Sequence, residues 1–232
     1  MDKSKIAIIT TVASKELYIK TSKHFPDGIK RFIIDGSTGM HGLSSIFFMF
    51  KKMKKIDLKW LIMADEDVIF RNTEELFSLI EHMKNQNISC CGIRDGGEIA
   101  HRHFNPYAMN TFFSVLNFEK IKKCFSTKDI LSNQYIDQSE FKDDISQLKY
   151  IFDPNSLYEP YYCFYFWLRR KGFKILFLES EMLKDGISNR VFSNNSAELL
   201  LHTWYARSYG KNEQHTDRIN NLIEKNNLVG NN

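Results

Sequence analysis

Three consecutive carboxylates interrupt the most apolar stretch of the chain, Lys59-Trp60-Leu61-Ile62-Met63-Ala64-Asp65-Glu66-Asp67-Val68-Ile69-Phe70. A run of that kind reads as a strand buried on both faces, and its carboxyl end is where open α/β sheets bind ligands. Asp65 and Asp67 are two apart, so in extended backbone they point the same way. Like charges so placed repel unless a cation or proton sits between them. A divalent metal carrying a phosphate is the simplest resolution, and a solvated strand end is the plain alternative. The first apolar strand ends in Thr10-Thr11-Val12-Ala13-Ser14, hydroxyls and small residues able to lie against a nucleoside. His202 closes the apolar run Leu199-Leu200-Leu201, where a lone histidine is ordinarily a hydrogen-bonded core residue.

Alternating elements are needed to position these residues. Residues 5 to 12 and 30 to 35 read as strands, with a helix over 15 to 24 between them. Leu43, Ile46, Phe47 and Phe50 have helical spacing and precede the carboxylate strand. Asn72-Thr73-Glu74-Glu75 is a helix start, with a capping residue and acids in the first turn. Residues 88 to 93 form the next strand, so strand and helix alternate in the manner of a parallel, helix-covered sheet. Residues 94 to 110 read as loop, 111 to 116 as strand and 118 to 125 as helix, whereas 126 to 157 has weak periodicity. An aromatic helix over 158 to 170 stops at Lys171-Gly172, and 173 to 178 is the last clear strand. The expected organisation is one domain over 1–210 and a polar tail, 211–232, lying on the surface or partly mobile.

Composition excludes several function classes. Thirty-two Lys and Arg against 28 Asp and Glu give a net charge of +4, with the basic residues scattered, which argues against a nucleic-acid partner. A mildly basic surface still suits a pyrophosphate or an anionic membrane face. The amino-terminal apolar run is too brief for a signal peptide and nothing approaches a spanning length, so a cytoplasmic location is expected. Cys90, Cys91, Cys124 and Cys163 form no CxxC pair and are expected to be reduced and mostly buried. There is no GxGxxG after the first strand, no GxxxxGK[ST], no GxSxG and no HExxH.

Three segments together resemble the GT-A nucleotide-sugar glycosyltransferases, nearest in pattern to the inverting family 2. Ile33-Ile34-Asp35-Gly36-Ser37-Thr38 is similar to that family's acidic turn after the second strand. Ala64-Asp65-Glu66-Asp67 resembles the DXD motif. Glu159-Pro160-Tyr161-Tyr162, running through Trp167 to Ile175, resembles the segment that carries the catalytic base. The likeness spans roughly residues 5 to 205, in the family's order. Asp35 stands alone where the family has two acids, and Pro160 stands where it has Asp.

The resemblance implies a GT-A α/β fold with a mostly parallel central sheet flanked by helices. It also implies roles. Asp67 would bind Mn²⁺ or Mg²⁺, with Asp65 and Glu66 beside it and Asp65 meeting ribose or a metal-bound water. His202 would be a third protein ligand, tilting preference towards Mn²⁺. Thr10, Thr11, Val12 and Ala13 would line the nucleoside, Asp35 would meet uracil or ribose, and Asp95 would face the donor sugar. Arg207 would contact pyrophosphate or form a surface ion pair. Glu159 would be the general base, or simply cap the next helix with Pro160 in its first turn. Tyr161 and Tyr162 could face an acceptor. His101-Arg102-His103 reads as a solvated loop, and Lys23 and Arg31 as surface charges.

The implied activity is transfer of a sugar, with inversion, from a UDP-sugar to a glycan or lipid-linked acceptor in surface polysaccharide or glycan assembly. Peripheral contact with the inner membrane face accompanies that reading. A sugar-phosphate nucleotidyltransferase is the alternative enzyme, although Thr10 to Lys15 lacks the Gly-rich loop such an enzyme carries. A non-catalytic binding or scaffold protein of the same fold is the alternative from another class.

Overall fold

The computed structural model describes residues 1–229. β1 (Ile6–Val12) leads into α1 (Lys15–Thr21), whose first turn is closed by the Ser14 hydroxyl accepting from the Leu17 amide. β2 (Lys30–Asp35), α2 (Gly42–Met53) and β3 (Trp60–Ala64) follow in the expected alternation. The acids do not continue β3. They form a turn in which the Val68 amide donates to the Asp65 carbonyl at 3.2 Å, and the chain restarts as β4 (Val68–Phe70) in a different sheet. The expectation of two carboxylates projecting from one extended strand is thereby corrected: they sit on a bend between sheets.

α3 (Thr73–Asn85) starts at Asn72, whose side chain accepts from the Glu75 amide. β5 (Cys90–Arg94), β6 (Met109–Asn117), α4 (Phe118–Cys124) and α5 (Thr127–Leu131) come next. A long irregular segment precedes α6 (Tyr162–Arg170) and β7 (Ile175–Phe177). The main sheet has the order β2-β1-β3-β6-β5-β7. β1 runs parallel to β2 and β3, and β5 to β7, while β6 is antiparallel to both its neighbours. The class is therefore α/β with a mostly parallel, helix-flanked sheet.

Strand periodicity builds the core on both faces. Ala7, Ile9, Leu61 and Met63 belong to the cluster under α2, α4 and α6, while Ile6, Ile8, Trp60 and Ile62 belong to the one under α3. Alternate residues of one strand feed opposite layers, which is why its sequence reads as unbroken apolar.

Three further strands pass unnoticed in the sequence: β8 (Ser180–Met182), β9 (Asn189–Phe192) and β10 (Glu198–His202). With β4 they form a second, antiparallel sheet of order β4-β10-β9-β8. The tail, expected to be polar and partly mobile, contains α7 (Glu213–Val229). α7 lies on the surface, with Ile219 and Ile223 buried beside Leu17, Ile69, Leu201 and Tyr209. α6 begins at Tyr162 rather than near 158, so Glu159 and Pro160 precede the helix and Tyr161 occupies its cap position. No helix of the described residues is long and apolar enough to cross a membrane.

Candidate active site

A cavity of about 570 Å³ opens at the carboxyl ends of β1 and β3. Its walls come from Thr11 and Ala13, Gly36, the first turn of α2, the Asp65–Asp67 turn, β6, Glu159–Tyr161, and the segment after β10. Gly36 sits where a Cβ would come within 2.9 Å of the Thr11 methyl group, so glycine is what lets the chain leaving β2 close against β1.

The small sheet builds the corner of the cavity where Asp67 meets His202. β10 pairs antiparallel with β4 so that His202 stands opposite Val68, and the Thr203 amide donates to the Asp67 carbonyl at 3.1 Å. This register brings His202 Nε2 to 3.3 Å from Asp67 Oδ1. A one-residue slip would turn the imidazole to the opposite face. The ring is stacked on Phe112 at 3.9 Å between centroids, and its Nδ1 is buried with no hydrogen-bond partner. Asp65, half-buried on the same wall, accepts no hydrogen bond from the described residues. Burial, then Asp67 and Glu66, push its carboxyl well above the usual carboxylate range, with Arg207 opposing.

Two nearby donors that are about 2.1 Å from one ion and at right angles to each other stand about 3.0 Å apart, so the spacing of Asp67 and His202 fits a shared divalent cation. Among the described residues no three His, Cys, Asp or Glu side chains gather into a cation site. The two expected ligands, Asp67 and His202, are the only pair of described side chains brought this close at the acidic turn, and a cation held by them would take its remaining ligands from phosphate oxygens and water.

Glu66 lines the same wall, but its carboxylate accepts from the amides of Ala13 and Ser14, tying the acidic turn to the start of α1. Burial is the main reason its carboxyl is raised, to about 7. Thr11 and Ala13 reach the cavity, with the Thr11 hydroxyl donating to Ser45 at 3.2 Å. Thr10 and Val12 do not line it, because alternate β1 side chains face the core. Asp35 is exposed outside the cavity, and its Oδ1 accepts from the Ser37 amide, the turn-forming role open to it from the start. Arg207 lines the rim and forms no ion pair with any described residue, against the salt-bridge alternative.

On the far side, Asp95 is fully buried behind the wall instead of facing it. Its carboxylate accepts from Arg102 Nε and Nη2, both at 2.8 Å, and from Asn110, Tyr161 and Tyr162. Arg102 Nη2 also donates to Glu159 Oε1 at 2.8 Å. Arg102 is thus no solvated loop residue. It links a buried acid to Glu159, and both Arg102 and Glu159 line the cavity. Tyr162 is wholly buried and its hydroxyl is committed to Asp95, so it does not face an acceptor; Tyr161 does reach the wall. Sequence reading missed Arg102 because its two acids lie seven positions before it and 57 after it, distances no local pattern spans.

The lip after β10 is strained. Trp204 and Tyr205 have φ of 60° and 62°, a left-handed conformation that bulky side chains rarely adopt. Arg218 of α7 donates to the carbonyls of Thr203 at 2.6 Å and Trp204 at 3.2 Å, and the Trp204 indole donates to Asn189 at 2.7 Å.

No protein-family model matches the chain, and no curated protein matches it. Several solved structures align with it at a distance. A197 from STIV aligns over 84% of this chain and 93% of its own, at 9% identity and a TM-score of 0.42. A glycosyltransferase involved in glycosylation of the major capsid of PBCV-1 aligns over 64% and 81%, at 13% identity and a TM-score of 0.37. A Drosophila β-1,4-galactosyltransferase 7 variant, in complex with manganese, UDP-Gal and xylobiose, aligns over 90% and 74%, at 13% identity and a TM-score of 0.43. These are likenesses of fold, and what this chain does has to be argued from its own cavity.

Proposed function

We propose that the protein is a metal-dependent glycosyltransferase moving a sugar from a nucleoside diphosphate sugar, a UDP-sugar, onto the hydroxyl of a glycan or lipid-linked acceptor. The observation that carries the reading is the Asp67–His202 pair at 3.3 Å in the same cavity as Glu159. Asp67 and His202 would hold Mn²⁺ or Mg²⁺, which when bound neutralises the charge growing on the departing diphosphate. Arg207, unpaired at the rim, lends a second positive charge to that leaving group. Thr11, Ala13 and Gly36 supply a close, small-residue wall for the nucleoside.

Glu159 takes the proton from the acceptor hydroxyl as the hydroxyl oxygen attacks the anomeric carbon. Arg102 holds that carboxylate in one position at 2.8 Å, so less orientation has to be found at the moment of reaction. Attack from the face opposite the diphosphate inverts the configuration. The test is UDP titration with and without Mn²⁺, combined with UDP release from a panel of UDP-sugars. Asp67→Ala should abolish metal-dependent UDP binding while the protein stays folded. Unchanged affinity in that variant removes the reading.

A further inference from the structure

Beside Glu159 the surface carries a feature that the transfer reaction as described does not use. The ring of Tyr158 is stacked on Phe104, with centroids 4.3 Å apart and planes 6° from parallel. The Arg102 guanidinium lies over Phe104 at 4.4 Å. Two groups at such distances cannot share one face of a ring, so Phe104 is sandwiched. The stack runs from Arg102 through Phe104 to Tyr158, whose outer face is open: Tyr158 is 68% exposed.

This platform is built. The irregular segment before α6 is pinned to the loop after β5 by backbone bonds from Lys149 to Gly97 at 3.0 Å and Asp153 to Phe104 at 3.1 Å. The buried Asn105 amide donates to the carbonyls of Pro154 at 2.8 Å and Ser156 at 3.1 Å. Gly96 permits the crossing, since a Cβ there would stand 1.9 Å from the Phe104 carbonyl oxygen. A large aromatic on so well-fixed a loop, next in sequence to Glu159, spends only its contact with Phe104 on packing and leaves most of its surface to water.

We infer that Tyr158 is a sugar-stacking subsite and that the acceptor is a glycan with at least one unit beyond the sugar that receives the new one. The inference rests on the transferase reading of the same cavity. A flat, rigid ring suits the C–H-bearing face of a pyranose, and polar groups at its edge suit the hydroxyls. Glu159 follows Tyr158 directly in the chain, and a carboxylate there opposes docking on an anionic lipid surface.

Tyr158→Ala removes an exposed ring without touching the core, and Tyr158→Phe keeps the ring. Both are compared with the wild type by ligand-observed NMR with cellotetraose, chitotetraose, glucose and N-acetylglucosamine, in the presence of UDP and Mn²⁺. Acceptor-independent UDP release is measured in parallel. The expected result is a tetrasaccharide bound by the wild type, bound roughly three- to tenfold more weakly by Tyr158→Ala, and restored by Tyr158→Phe, with UDP release unchanged. The subsite is overturned if the wild type binds neither tetrasaccharide, if Tyr158→Ala binds as tightly, or if that variant instead loses binding to phosphatidylglycerol vesicles. A wild type that never releases UDP would refute the transferase reading separately, with the NMR comparison still deciding the subsite.

Discussion

Replacing Arg102 by Met removes the one cation paired with the fully buried Asp95 while keeping most of the side-chain volume. Leaving one partner of a buried ion pair uncompensated costs about 3–5 kcal/mol. Asn110, Tyr161 and Tyr162 still donate to the carboxylate, which puts the expected loss near the lower end, about 3 kcal/mol. For a chain of this size each kcal/mol lowers Tm by about 2–4 °C, so Arg102→Met should melt roughly 6–12 °C below the wild type. Differential scanning fluorimetry reads this directly. The companion variant Asp95→Asn removes the stranded charge, so the double variant should recover part of the loss, with a coupling of about 0.5–3 kcal/mol. A Tm within about 2 °C of wild type, or a double variant no better than the sum of the singles, would refute the argument that this pair is the electrostatic anchor of the far wall.

Glu159→Gln should retain metal-dependent UDP binding and lose transfer by about a hundredfold or more, measured as glycosylated product per unit time. Gly36→Ala drives a methyl group to 2.9 Å from Thr11, so urea unfolding should show a loss of about 1–3 kcal/mol together with weaker UDP binding. His24 is held below its ordinary value of 6.5 by burial first and then by Arg71 and Lys23. The folded state therefore binds fewer protons than the unfolded one, and this group's contribution, complete above 6.5, falls as pH drops below it. The stability difference between pH 7.5 and 5.5 should accordingly shrink in His24→Gln; an equal difference in both proteins would remove His24 as its source.

The layered sheet was legible because β1 and β3 feed alternate residues into two cores, which writes unbroken apolar runs into the sequence. Asn72 marked a helix start for a local reason, a side chain that satisfies the amide three residues on, and Ser14 turns out to do the same for α1. The second sheet was not legible, because its strands are three to five residues long and two of them are only partly buried. α7 was missed since its buried stripe is little more than Ile219 and Ile223 among polar residues. Asp67 and His202 were both singled out by type and by what precedes them, but their 3.3 Å meeting depends on strand pairing across 134 positions of chain. Asp95 was placed facing the donor sugar by the family resemblance; the structure shows it serving Arg102 from behind.

Two adjacent aromatic residues in left-handed backbone each hold about 1–2 kcal/mol that relaxation would release. Among the contacts that hold this backbone is a guanidinium on α7, fastened to the Thr203 and Trp204 carbonyls, beside the Trp204 indole bond to Asn189. α7 is thus a clasp on the rim beside His202. Clipping α7, or replacing Arg218 by an uncharged residue, would let Tyr205 and Arg207 drift outward, and on the proposed transferase reading would weaken UDP binding.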